Sequence, residues 1–203
     1  LTALLSIQKD AVYELDGSPA MRERPMSELL SFLKKNGASC KFDNLDGCFP
    51  FRLSSHGLGE TCTDIDATKS SQVLSAILMI APTINNKYTL TFNGGTVSAP
   101  FVDITLSMMR SFSPPESFSS CFSSNYIEIE SEGYRTDDFH FMVEPDATAA
   151  SYFLTLPIAV GGSCQLDGIH EEMLQGDSAY LNVLKKVGVQ ITKTKCGIES
   201  SMT

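Results

Sequence analysis

The sequence predicts an α/β protein assembled from a repeated unit, and three observations carry that prediction. First, strand-like segments meet a glycine at regular intervals: "VYELDG" ends at Gly17, "YTLTFNGG" has its first glycine at Gly94, and "CQLDGI" contains Gly168. The steps from 17 to 94 to 168 are 77 and 74 residues, a period of roughly seventy-five. Second, each glycine is followed by an amphipathic stretch of helical spacing, in turn "RPMSELLSFLKKNGA", "PFVDITLSMMRSF" and "DSAYLNVLKKVGV". Third, "SSQVLSAILMIAPTINNKYTLTF" and "DATAASYFLTLPIAVGGSCQL" share one order: a small polar opening, an almost wholly apolar helix, a turn and a strand.

Taken in order, "LTALLSIQKDAVYELDG" reads as the end of an apolar helix followed by its strand, so the polar opening of that helix is expected upstream of Leu1. The amphipathic helix ending in Leu-Lys-Lys-Asn-Gly comes next, then a short strand "SCKF". Gly37 stands where a helix C-terminus needs a left-handed residue, and Gly188 stands likewise after the third amphipathic helix. The two all-apolar helices are expected to be buried, which leaves only their polar N-termini to meet solvent or a ligand. Residues 113–140 read as turns and short strands on an exposed edge, and "VQITKT" as a strand. "CGIESSMT" stops where the pattern would lead into another unit, so the chain is expected to be a piece of a longer repeat protein.

Composition narrows the function classes. The 203 residues are 42% hydrophobic and 19% charged, enough for a folded core. A net charge of -9 with no Lys/Arg run argues against a nucleic-acid surface. No apolar stretch is long enough to cross a bilayer. Cys40, Cys48, Cys62, Cys121, Cys164 and Cys196 form no Cys-x-x-Cys pair and read as reduced thiols, the state of a cytoplasmic protein. His56, His140 and His170 are scattered, and "HEEML" lacks the second histidine of a zinc helix, so no metal and no cofactor is expected. Neither a Gly-x-Ser-x-Gly elbow nor a Walker loop is present.

One stretch is over-equipped for structure alone. "TKSSQVLSAILMIAP" places Ser70, Ser71 and Gln72 in front of an apolar run. One hydroxyl satisfies a helix N-terminus. Two hydroxyls and an amide, with the free N–H groups and the positive end of the helix dipole, also suit a phosphate or carboxylate.

Five strings occurring in order, "MRERPMSELLSFLKKNGA", "TKSSQVLSAILMIAP", "VSAPFVDITLSMMRSF", "VEPDATAASYFL" and "LQGDSAYLNVLKKVG", resemble the enolpyruvyl transferase family, and its shikimate branch in particular. The resemblance implies an inside-out α/β barrel (inverse α/β prism) of repeated βαβαββ units, incomplete here. Residues 1–142 would be part of the N-terminal domain and 143–203 the start of the C-terminal one. It implies transfer of the enolpyruvyl group from phosphoenolpyruvate to the 5-hydroxyl of shikimate 3-phosphate, releasing phosphate, by an enzyme that is monomeric at full length. By position, Ser70, Ser71, Gln72 and Ser98 would bind shikimate 3-phosphate, and Arg24 and Gln72 phosphoenolpyruvate. A guanidinium suits that task because it stays charged and donates in a fork. Pro25 would then take the first position of the following helix. Two alternatives stand beside this reading: a non-catalytic phosphate-binding module, and the sister transferase acting on UDP-N-acetylglucosamine.

The sequence departs from the family at several points. Ala99 and Phe101 stand where the family usually has Lys and Tyr, which is expected to weaken affinity, and Pro145 stands where many members have Gly. The family's catalytic acids and its C-terminal basic cluster match nothing here. Asp137, Asp138, Glu171 and Glu172 read as solvated acids rather than replacements, because acid–base work needs a carboxyl group within reach of the proton.

Overall fold

The computed structural model describes residues 1–59, 62–65, 71–92 and 99–202, the side chains of 62–64 excepted. The chain forms two compact units, Leu1–Thr136 and Asp137–Thr203.

The first unit opens with a short helix α1 (Thr2–Leu5), then β1 (Ala11–Leu15), a turn-length helix α2 (Pro19–Arg22), α3 (Ser27–Lys35), β2 (Ser39–Phe42) and β3 (Phe51–Ser55). These strands form an antiparallel sheet of order β1-β3-β2. The chain continues through β4 (Cys62–Ile65), α4 (Ser71–Ile84), β5 (Lys87–Phe92), α5 (Ala99–Phe112), β6 (Phe118–Phe122) and β7 (Tyr126–Ser131). This is one complete βαβαββ run, with sheet order β4-β5-β7-β6. The second unit contains α6 (Ala147–Val160), β8 (Gly162–Asp167), a 3-10 turn over Gly176–Ala179, α7 (Tyr180–Lys186), β9 (Gln190–Lys193) and β10 (Gly197–Met202), with order β8-β10-β9.

The repeat read from the sequence is therefore a repeat of topology. β1, β5 and β8 begin at residues 11, 87 and 162, steps of 76 and 75, and each is joined to its parallel companion through an intervening antiparallel strand, β3, β7 and β10 respectively. Pro82 in α4 and Pro157 in α6 keep the same spacing of 75. The glycine stops recur too. After α3, the Ala38 N–H bonds Leu33 O at 3.0 Å and the Gly37 N–H bonds Lys34 O at 3.2 Å. After α7, Val189 and Gly188 bond Leu184 O and Lys185 O at the same distances. Gly37 and Gly188 have φ of 100° and 95°, a left-handed backbone that a side chain disfavours.

Burial follows the alternation of the strands. In β3, β5 and β7 every second side chain faces the core, so Phe51, Leu53, Tyr88, Leu90, Phe92, Ile127 and Ile129 line one apolar layer. Leu29, Leu30, Phe32 and Leu33 of α3 and Leu74, Ile77 and Leu78 of α4 pack into the same core. Each such side chain contributes about 1.5–3 kcal/mol through removal from water.

Three expectations need correction. α4 is buried on most sides, but α6 is not. Its Ala147, Ala150, Leu154 and Pro157 are buried, while Tyr152 is 73% and Val160 80% exposed. Within its unit a single three-stranded sheet covers only one side of that helix. Residues 113–140 are not all edge: β6 is an edge strand, but β7 lies between β5 and β6 because Ile127 and Ile129 alternate with Glu128 and Glu130. Pro25 does not start α3. The helix begins at Ser27, because the Met26 N–H is held by Gly47 O at 2.8 Å and Met26 is left non-helical.

Candidate substrate-anion site

The strand directions decide where the helices begin. β4 and β5 are parallel, and β5 and β6 are both antiparallel to β7, hence parallel to each other. α4 and α5 each carry the chain back between such strands. They therefore run parallel, and both begin at the carboxyl end of the parallel strands, the edge where open α/β sheets bind ligands. Their contact confirms the register: Ser75 Oγ in the second turn of α4 lies 2.8 Å from Thr105 Oγ1 in the second turn of α5.

Ser71 and Gln72 occupy the first turn of α4, Ser71 half-buried and Gln72 exposed. The N–H groups there lack partners within the helix, and the dipole presents its positive end. No acidic residue stands in the first turn of either α4 or α5. Ser70 and Ser98 lie outside the described residues. Ala99 and Phe101 open α5, with Phe101 57% exposed. An apolar ring thus stands at the start of this helix, where a phenolic hydroxyl would offer a hydrogen bond.

α6 supplies the control. Its opening is closed by its own chain: the Ala147 N–H donates to Gln175 Oε1 and the Ala149 N–H to Asp146 Oδ1, each at 2.9 Å. Thr148 donates to Asp177, and Gln175 is held by Pro145 O at 2.6 Å and by the Glu144 carboxylate at 3.3 Å. Three carboxylates, those of Glu144, Asp146 and Asp177, gather there and would repel an anion. Pro145 has a packing role at this end. A side chain on Gly168 would lie 2.8 Å from the Pro145 ring, so the ring is seated on a residue that must stay bare.

Arg24 is exposed on the connection between α2 and α3. Two residues earlier, Arg22 is engaged by Asp16 through Nε at 2.8 Å and Nη2 at 2.5 Å, which holds the Asp16 carboxyl below its ordinary range. Among the described residues Arg24 makes no ion pair, with Glu23 or any other acid, and no bond links it to Ser71 or Gln72. Glu171 is paired with Lys185 and, at 3.2 Å, with Lys193, and these bonds hold its carboxyl low. Glu172 and Asp138 are exposed. Among the described residues no group of three or more His, Cys, Asp or Glu could hold a metal ion, and no helix is long and apolar enough to cross a membrane.

The family model for EPSP synthase (3-phosphoshikimate 1-carboxyvinyltransferase) matches residues 1–203. The 3-phosphoshikimate 1-carboxyvinyltransferase of Opitutus terrae is 38% identical over 92% of the chain, and that of Nostoc punctiforme 36% over 88%. The chain spans only 43% and 41% of those relatives' own lengths. Among solved structures, EPSP synthase from Acinetobacter baumannii has a TM-score of 0.68 at 20% identity, covering 98% of this chain and 43% of that one. The enolpyruvyl transferase NikO from Streptomyces tendae has a TM-score of 0.55 at 15% identity, covering 98% and 45%. These two likenesses bear on fold alone. This chain belongs to the EPSP synthase (3-phosphoshikimate 1-carboxyvinyltransferase) family.

Proposed function

We propose that the chain supplies part of an enolpyruvyl transferase that moves the enolpyruvyl group of phosphoenolpyruvate onto the 5-hydroxyl of shikimate 3-phosphate, and that its share of the site holds the shikimate 3-phosphate anion. The observation that carries this reading is the pairing of two parallel helix openings at one sheet edge, one bearing Ser71 and Gln72, in a chain of this family. Ser70 and Ser98 precede the same two helices in sequence and belong to the proposed set.

In this reading the phosphate accepts bonds from the Ser71 hydroxyl and the first-turn N–H groups of α4, and Gln72 reaches toward phosphoenolpyruvate. Arg24, whose charge is not spent on a carboxylate among the described residues, meets the phosphoenolpyruvate anion. The reaction protonates the methylene to a methyl group as the sugar hydroxyl, giving up its own proton, adds to the adjacent carbon. The tetrahedral intermediate then loses phosphate together with a methyl proton, which restores the double bond. Fixed donors stabilise the anionic groups throughout. No described residue is assigned the acid or base. We place residues 1–142 in the N-terminal domain and 143–203 at the start of the C-terminal one. The cytoplasmic setting and monomeric state of the full-length enzyme belong to the same proposal.

Calorimetric titration tests it. The folded chain is expected to bind shikimate 3-phosphate saturably and UDP-N-acetylglucosamine not at all. The reverse preference would move the chain to the sister transferase, and equal binding of inorganic phosphate alone would reduce the site to a general anion hole.

A further inference from the structure

We infer that Ser75 and Thr105 are positioning residues whose hydroxyl bridge sets the spacing of the two helix openings, an inference that rests on the anion-site reading above. Thr105 Oγ1 donates to Phe101 O at 2.8 Å, and Ser75 Oγ lies 2.8 Å from Thr105 Oγ1. A hydroxyl has one proton, and Thr105 spends its own on the carbonyl. Ser75 is therefore the donor across the seam, and the chain of bonds has one direction: Ser75 to Thr105 to the Phe101 carbonyl.

The position of the bridge gives it leverage. Ser75 stands four residues after Ser71 and Thr105 four after Phe101, so each is stacked one turn, about 5.4 Å, along the same face from a residue of the helix opening. The rest of the two helices' buried surface is apolar, with Leu74, Ile77 and Leu78 on α4 and Val102, Leu106 and Met109 on α5. Apolar contacts are non-directional and tolerate small sliding. A directional bond at a residue only 8% exposed does not, and it fixes which turn of α4 faces which turn of α5. The bridge thereby holds the Ser71 hydroxyl and the start of α5 at one separation, matched to a bound phosphate.

The test uses Thr105→Val, which keeps the shape and removes the hydroxyl, with Ser75→Ala, the double variant and the conservative Thr105→Ser. Neither loss strands a buried polar group, because Ser75 is only partly buried and can bond water. Thr105→Val is expected to weaken shikimate 3-phosphate binding about five- to tenfold, as loss of one hydrogen bond does. The double variant should bind no more weakly than Thr105→Val alone, as for a coupled pair, and Thr105→Ser should restore binding to within about twofold of the parent chain.

Amide exchange is read in parallel. In Thr105→Val the first turns of α4 and α5 are expected to exchange faster while their C-terminal halves stay protected. Parent-like binding with unchanged exchange in Thr105→Val overturns the inference, as does a Thr105→Ser variant as weak as Thr105→Val. If the parent chain binds no shikimate 3-phosphate, the anion-site reading fails. The exchange pattern then decides the bridge by itself, faster first turns supporting it and unchanged ones rejecting it.

Discussion

Arg22 and Arg24 stand two positions apart and have opposite fates. Arg22, at the end of α2, is clamped to Asp16 by two bonds, whereas Arg24, on the connection that follows, has no carboxylate partner among the described residues. Replacing Arg24 by Ala is expected to weaken phosphoenolpyruvate binding about tenfold or more in the presence of shikimate 3-phosphate, as loss of a charge-assisted bond does. Arg22→Ala should leave that affinity nearly unchanged, and competition calorimetry separates the two. A second residue-level prediction concerns Tyr134, which donates to Met79 O at 2.6 Å and whose phenol burial pushes up to about 12. The folded state holds this proton more tightly than the unfolded chain, where a phenol titrates near pH ~10. The contribution to stability is full below that pH and is lost as pH rises through about 12. An ultraviolet phenolate titration should show this late step in the parent chain and not in Tyr134→Phe.

Helix ends were legible because their chemistry is local. Leu-Lys-Lys-x-Gly announced both left-handed stops, and the Ser-Ser-Gln opening announced α4. Gly188→Ala isolates the backbone cost, since a side chain there would meet open space but must adopt φ of 95°. It should destabilise the second unit by about 1–2 kcal/mol. Gly197→Ala should cost more, because its Cβ would lie 2.1 Å from Leu166 O and force β8 and β10 apart. Denaturant titration with the two variants side by side checks the order. Strands were less legible. β3 ("FRLSS") and β10 ("GIESSM") are the middle strands of their sheets, yet neither carries a run of β-branched residues, and their identity comes from partners on both sides. The exposure of α6 was illegible for a similar reason: apolar composition says that a helix seeks cover, not how much of it its neighbours provide.

For the molecule as a whole, a period near seventy-five residues was enough to place three copies of one strand-and-helix order, because a repeat in sequence imposes a repeat in topology. The site was legible only in part. Ser71 and Gln72 stood out as an excess of polar groups before an apolar run, but the contact that aligns their helix with the next joins Ser75 to Thr105, residues 30 positions apart with no motif between them. In the proposed function the opening of α4 is an anion site and not merely a capped helix. Calorimetric titration of the parent chain and a Ser71→Ala, Gln72→Ala double variant with shikimate 3-phosphate addresses it most directly, with circular dichroism showing both to be folded. Saturable one-to-one binding by the parent and a loss of about tenfold or more in the variant are expected. Equal binding by the two, or none by a folded parent chain, would contradict it.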